Sequence, residues 1–511
     1  MNLTSILAFT ALTVTFGVLV LLAGERIRRY KGWVMLVASV FAVYWLQSSM
    51  PLRNLDFWLP TASLGLTVIV WVTINIPGRI AAREGGTVAT RDTLATLTVV
   101  VAVVLLVGLT RYTDILITPS RPPDIVSILI SLIVVAALAA AAGAAFGRRT
   151  GLLSIPIFLI VALFVIFKLD ALARSASVVL RTLTGQATDQ ASALDLRWLG
   201  FSYLAFRLIH VLRDRSTGKL KAGALSLREF VSYVVFFPSL TAGPIDRVEH
   251  FTKDARSTLT PGVDDMVEGG RRIFAGVFKK FVLADTLAIF ALNATNAAQT
   301  HSVPWTWLLV YAFAFRIFFD FSGYTDIAIG LGRFFGIKLP ENFDHPYLKR
   351  NLTVFWNSWH ITLAQWFRTY FFNPVTRALR TRTFANGKTL SPTVIILTGQ
   401  VGTMLLIGLW HGITWNFVAW GAWHAAGLFV HNLWTDYSHR RAARAEQKAL
   451  NDPSSQPVSE PASPLPYRAG LMGVVNVVIT FHYVALGWIW FALPNLDLSL
   501  AVFRRLVGAG G

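Results

Sequence analysis

The chain has 511 residues, of which 54% are hydrophobic and 14% charged, against about 25% charged in a soluble domain. That balance excludes an ordinary soluble protein, and the lack of any cysteine excludes disulfides, S-palmitoylation, thiolate metal sites and a cysteine nucleophile. The formal charge of +19 lies in short loops between apolar blocks, so membrane orientation and anionic lipid account for it, and no nucleic-acid partner is expected.

In chain order, apolar blocks run over Leu3–Ala23, Trp33–Leu46, Thr93–Leu109, Ile125–Ala145 and Leu152–Phe167. Several approach the roughly 20 residues that cross a hydrocarbon core about 30 Å thick. The fold class is an all-α polytopic membrane protein. Leu3–Ala23 has no positive charge before it, and Arg26, Arg28, Arg29 and Lys31 follow it. It therefore reads as a retained span with the N-terminus outside, not a cleaved signal. Alternating from there, loops on the cytoplasmic side hold fourteen Lys and Arg up to Arg228, and loops on the other side hold fewer, Arg53, Arg111, Arg121, Arg174 and Arg181 among them. This asymmetry places the 213–228 loop in the cytoplasm.

Beyond Arg228 the alternation no longer decides the topology. "VVFFPSLTAGPIDR" (Val234–Arg247) is apolar but broken by Pro238, Gly243 and Pro244. Such a break at membrane depth is expected only where protein or a water-filled cavity surrounds it, so a re-entrant segment is expected. Leu339–Asn351 is polar and proline-bearing and reads as a loop. Ser438–Pro466 is charged, then rich in Pro and Ser, and is expected to be a disordered cytoplasmic link between two spans. No internal repeat is evident, so the inverted-repeat signature of many secondary transporters is missing. The organisation expected is N-terminal spans over 1–190, a core over 191–437 and 467–505, and the polar loop 438–466 between the two parts of the core.

Polar groups inside apolar stretches mark the candidate chemistry. In "FWNSWHITLAQWFRTYF", a continuous helix would put Trp356, Trp359, His360, Leu363, Phe367 and Tyr370 on one face, with Asn357, Gln365 and Arg368 elsewhere. An interfacial aromatic belt would give the same pattern. In "GLWHGITWNFVAWGAWHAAG", Gly408 and Gly412 strip one helical face beside Trp410 and His411. Another backbone or a narrow substrate could approach there. His424 falls well off the His411 face at about 100° per residue and reads as structural, as does His482. In "YAFAFRIFFDFSGYTDIAIGLGRFF", Arg316 and Asp320 are spaced to pair on one helix, Asp326 follows, and Gly323 is a candidate bend. No Walker loop, zinc-protease motif or nucleophile elbow is present. The histidines show no metal-ligand spacing, so no metal and no tightly bound cofactor is expected. What remains is base chemistry by histidine.

Taken together, "FFPSLTAGPIDR", "FDFSGYTDIAIGLG", "LPENFDHPY", "FWNSWHITLAQWFR", "GLWHGITWNFVAWGAWHAAGL" and "TFHYVALGWIWF" resemble the membrane-bound O-acyltransferase family. Within it they resemble the bacterial branch that acetylates alginate or D-alanylates teichoic acid. The resemblance covers roughly residues 195–505. It implies about 11–14 transmembrane or re-entrant helices around a central tunnel, in the bacterial cell membrane. It implies transfer of a short acyl group from a thioester, acetyl-CoA or an acyl-phosphopantetheine carrier protein on the cytoplasmic side. The acceptor would be an extracytoplasmic glycan, or a second transferase outside the membrane. The family histidine in a Trp-His-Gly context maps onto His411, and the one in a Trp-x-x-Trp-His context onto His360. Trp359 and Trp410 would exclude water, with Trp356, Asn357 and Asp320 as supporting tunnel residues. "GPIDR" resembles the D-alanyl branch, whereas "SGYTDIAIGLG" and "FFNPV" resemble the acetylating one. Acetyl transfer is the leading expectation and D-alanyl transfer the alternative. A transporter or flippase without covalent chemistry, or a scaffold for glycan export, are the readings of another class.

Overall fold

The computed structural model describes residues 3–23, 30–75, 91–115, 117–147, 149–257, 261–382, 389–451 and 466–509, the side chains of 20–23, 448–451 and 466–470 aside. Among them there is no β-strand, and an isolated bridge pairs Phe343 with Trp359. Among the described residues seven helices are long and apolar enough to cross a membrane, and Leu3–Leu19 and Lys31–Trp45 are shorter apolar helices. The chain is an all-α polytopic membrane protein. Its contacts divide it into two compact units, residues 1–278 with 323–340, and residues 279–322 with 341–511.

The first unit begins with α1 (Leu3–Ala23), α2 (Lys31–Trp45), α3 (Leu55–Asn75), α4 (Arg91–Leu109), α5 (Ile125–Phe146), α6 (Ser154–Lys168) and α7 (Asp170–Leu183). The apolar blocks of the sequence match α1, α2, α4, α5 and α6 to within about two residues at each end. α5 starts where it does because Asp124 caps it, accepting from the Ser127 N–H at 2.9 Å. It packs on α3, where Gly65 lets Val135 approach. Then come α8 (Phe201–Ser216), α9 (Leu227–Val234), α10 (Val248–Arg256) and α11 (Val263–Val277). α9 opens with a reciprocal capping box between Ser226 and Glu229.

The broken segment after α9 is buried and held by protein. The guanidinium of Arg207, 1% exposed, donates to the carbonyls of Val234 and Ser239 at 2.8 Å each and to the Ser239 hydroxyl at 2.7 Å. Tyr324 donates to the Pro238 carbonyl at 2.9 Å. Backbone carbonyls that a helix would have satisfied thus find side-chain donors.

The second unit holds α12 (Asp285–Phe290), α13 (Ala294–Gln299) and the first part of α14 (Val303–Phe334). Gly323 does not break α14, which is one helix of 32 residues. Instead, in the first unit, its carbonyl lies where a Cβ on Gly276 of α11 would come within 2.5 Å, and Gly330 meets the Gly269 carbonyl in the same way. The glycines serve close helix crossing. The second unit continues with α15 (Leu352–Trp356), α16 (Ile361–Phe367), a π-helical turn at Arg368–Phe372, α17 (Asn373–Arg380), α18 (Pro392–His411), α19 (Trp415–Asn451), α20 (Pro466–Ala492) and α21 (Leu496–Leu506).

The expected disorder from Ser438 needs correction. α19 runs on to Asn451, because "RRAARAEQKAL" consists of strong helix formers. Residues 452–465 lie outside the described residues.

Candidate active site

α18 and α19 form an antiparallel hairpin whose backbones nearly touch at two glycines. A Cβ on Gly408 would stand 2.3 Å from the Phe417 carbonyl oxygen, and one on Gly421 would stand 2.7 Å from that of Met404. The space beside Gly408 is therefore filled by the backbone of α19, and that beside Gly412 by the Phe417 ring, 2.6 Å from where a Cβ would stand. This contact fixes the last turn of α18, which His411 ends. Gly412 leaves the helix in an extended conformation, and its N–H still bonds the Gly408 carbonyl at 3.3 Å.

The His411 ring is half-buried among Phe491 (4.7 Å between centroids), Trp420 (5.8 Å), Phe417 (5.9 Å) and its neighbour Trp410 (4.5 Å).

His360 reaches the same indole from another direction in the sequence. Its ring is edge-on to Trp410 at 6.0 Å and to Phe321 at 4.6 Å, and it is 3% exposed. The continuous helix expected over 356–370 is absent. α15 ends at Trp356, and His360 has φ 44° and ψ 52°, left-handed backbone that a non-glycine residue adopts rarely. Pairing from outside the segment imposes the break. The Ile361 N–H bonds the Asn342 carbonyl, and the Asp344 N–H bonds that of Ser358, each at 3.0 Å. The Asn342 side chain, wholly buried, accepts from the Thr362 hydroxyl at 2.6 Å and from its N–H at 3.3 Å, capping α16 from a distance. Of the face expected on one helix, His360 meets Trp410.

The supporting residues divide. Trp359 is 4% exposed and stacks within a cluster of Phe355, Phe343, Tyr347 and Trp488. Trp356 packs against Trp420 and His424. Asn357 is exposed and accepts from Arg368 at 2.7 Å. Trp356, Asn357 and Arg368 line a cavity of about 320 Å³ together with Gln400 and Met404 of α18. The Trp356 indole N–H and the Gln400 carbonyl in that wall have no hydrogen-bond partner among the described residues. Asp320 is half exposed and its ion partner is Lys280, not Arg316 as the spacing suggested. In the first unit Asp326 pairs with Arg272 at 2.7 Å. His482 is structural in its bonding: it bonds the Val478 carbonyl at 2.7 Å and the Tyr311 hydroxyl at 2.9 Å. His424 is completely buried, with neither ring nitrogen hydrogen-bonded among the described residues.

Sequence reading missed Asn342, Phe321, Phe417 and Phe491. None carries a titratable group, and only their contacts reveal them. The polar loop "LPENFDHPY" held the signal for Asn342.

The site thus lies in a helical membrane protein that gathers two histidines on one tryptophan. The chain belongs to the membrane-bound O-acyltransferase family, whose model matches residues 148–448, more than half of it. It is 32% identical over 307 residues to a teichoic acid D-alanyltransferase of Streptococcus thermophilus, covering 58% of this chain and 68% of that one. It is 32% identical to a probable alginate O-acetylase of Pseudomonas aeruginosa (61% and 52% covered) and 33% identical to a peptidoglycan O-acetyltransferase of Helicobacter pylori (56% and 48%). The chain thus spans about half the length of the last two. It is an acyltransferase. The matched region contains both His360 and His411.

Proposed function

We propose that the protein moves a short acyl group, acetyl as the leading choice, from a thioester to hydroxyls of an extracytoplasmic cell-envelope polysaccharide. The observation that carries this is the convergence of His360 and His411 on the Trp410 indole. His411 acts as general base on the acceptor hydroxyl, a role typically worth 10²–10⁴-fold. His360 holds or polarises the thioester carbonyl. The alcohol oxygen attacks that carbonyl, His411 takes the proton, and the thiolate leaves and is protonated. The surrounding indoles keep water from competing as acceptor.

The donor is acetyl-CoA or an acyl-phosphopantetheine carrier protein from the cytoplasm, in a bacterial inner or plasma membrane. The acceptor is a glycan or a second transferase outside. The similarity to the Streptococcus thermophilus protein supports D-alanyl transfer to a teichoic-acid-like polymer as the second reading. Family membership weighs against a flippase without covalent chemistry.

Mass spectrometry of envelope glycans from cells with the gene, without it, and with His411→Ala tests the proposal. An acyl mass lost in both the deletion and the variant supports it and names the group. Unchanged acylation with His411→Ala, at equal protein level, defeats it.

A further inference from the structure

The first unit holds a cluster that acyl transfer does not use. We propose that His210, Asp214 and Glu249 form a site for a divalent transition-metal ion that ties the start of α10 to α8. No metal was expected from the sequence, yet His210 and Asp214 are four residues apart and share one face of α8. Glu249 stands in the first turn of α10. One ligand atom from each, an imidazole nitrogen and two carboxylate oxygens, lies within 4.8 Å of the others. Two carboxylates this close repel one another, so a cation placed among them would favour their charged forms.

Hydrogen bonding assigns the imidazole's tautomer. The Tyr233 hydroxyl is 2.8 Å from the Asp246 carbonyl oxygen and 3.3 Å from His210 Nδ1. A hydroxyl has one hydrogen, and the carbonyl can only accept it. The Tyr233 oxygen then accepts from Nδ1–H, which leaves Nε2 as the lone-pair nitrogen of the neutral ring. A metal-bound histidine commonly has its other N–H fixed in this way by an oxygen acceptor. His210 and Asp214 are 1% and 3% exposed, whereas Glu249 is exposed and lines a cavity of about 1060 Å³. That cavity gives a hydrated ion a way in. Two side-chain cations compete for the place. Lys219 Nζ is 3.8 Å from Asp214 with its side chain 59% exposed, and Arg247 acts on His210 electrostatically. Lys219 can swing into solvent when an ion binds. One imidazole with two carboxylates suits zinc or manganese, with zinc the tighter by the usual order.

The test uses the full-length chain in detergent, purified without a histidine tag and stripped with chelator. ZnCl2 alone and MnCl2 alone are titrated, reading bound metal per chain after gel filtration and the thermal midpoint. About one ion per chain with a raised midpoint is expected, and zinc should bind more tightly. Glu249→Gln is on the exposed side and should fold normally, yet bind at least about tenfold more weakly. Tyr233→Phe should weaken binding by about 10–100-fold through the histidine it orients. A wild-type protein that retains no more metal than Glu249→Gln overturns the proposal. So does a midpoint shift of equal size in both.

Discussion

Replacing Gly408 by alanine tests whether the α18–α19 contact sets the position of His411. The new Cβ would lie 2.3 Å from the Phe417 oxygen, 3.2 Å from its carbonyl carbon and 3.4 Å from Trp420 Cε3. Ordinary contact begins near 3.4 Å, so the two backbones must separate by about 1 Å, and no flexible side chain can absorb it. Overpacking of this kind costs about 1–3 kcal/mol, offset by up to about 1 kcal/mol because alanine is the better helix former. The variant should therefore fold. His411 ends the same turn, and a 1 Å misplacement of a catalytic group can cost about 10²-fold in rate. Gly402→Ala is the control. It gains the same helix propensity, and its Cβ meets only the Phe371 ring edge at 3.0 Å, a side chain that can turn aside. Acyl transfer by purified protein is followed with a thiol reagent, which reads donor thiol without background because the chain has no cysteine. A kcat loss of about 10²-fold for Gly408→Ala, with Gly402→Ala near wild type, is the expected result. Gly408→Ala within threefold of wild type would refute the argument that this contact places the histidine.

Three further substitutions probe other links. Asn342→Ala removes the acceptor of both Thr362 groups and should lower stability by about 1–3 kcal/mol, read as a fall in thermal midpoint; an unchanged midpoint would show that the remote cap contributes nothing. His424→Leu should leave acyl transfer within about threefold and stability unchanged or higher, since it removes two buried nitrogens without hydrogen bonds; a tenfold loss of rate in folded protein would give that imidazole a chemical task. Asp195→Asn breaks a buried pair with Arg181 at 2.9 Å and should cost about 3 kcal/mol at neutral pH. Burial pushes the Asp195 carboxyl up, but hydrogen bonds from Ser177, Arg181 and the Ser192 N–H, with the Arg181 charge, outweigh it and hold the group below its usual 3.8. The unfolded chain thus binds the proton more readily, so this stabilisation is complete above about pH 4 and is lost as the pH falls through the lower folded value. The gap in midpoint between wild type and variant should narrow at low pH; a constant gap would show that the charge is not responsible.

The parts of the fold that depend on local composition could be read directly. Apolar runs long enough to cross a bilayer became α1, α2, α4, α5 and α6, because in lipid a helix is the local solution to backbone hydrogen bonding. The misjudged parts depend on partners distant in sequence. Residues 356–370 have a good helical pattern, and no rule of spacing sees that Asn342 and Asp344 pair across 358–361 and turn the chain at His360. Asp320 was matched with the residue one turn before it, whereas its partner Lys280 comes from another helical segment. The glycines beside His411 signal close approach in the sequence, and only the fold reveals that the Phe417 backbone comes up to Gly408 and the Phe417 ring to Gly412.

The same distinction bears on how the candidate site is held. His411 is positioned by a contact between two helices adjacent in sequence, and a short hairpin reproduces that geometry whenever α18 and α19 pack. His360 is positioned by a loop that must first dock, and it sits in left-handed backbone that costs of order 1–3 kcal/mol. That strain persists only while the Asn342 and Asp344 hydrogen bonds hold it. The two histidines meet on one indole, one held by a pair of helices adjacent in sequence and the other by backbone hydrogen bonds from a loop earlier in the chain, so substitutions that displace one need not displace the other.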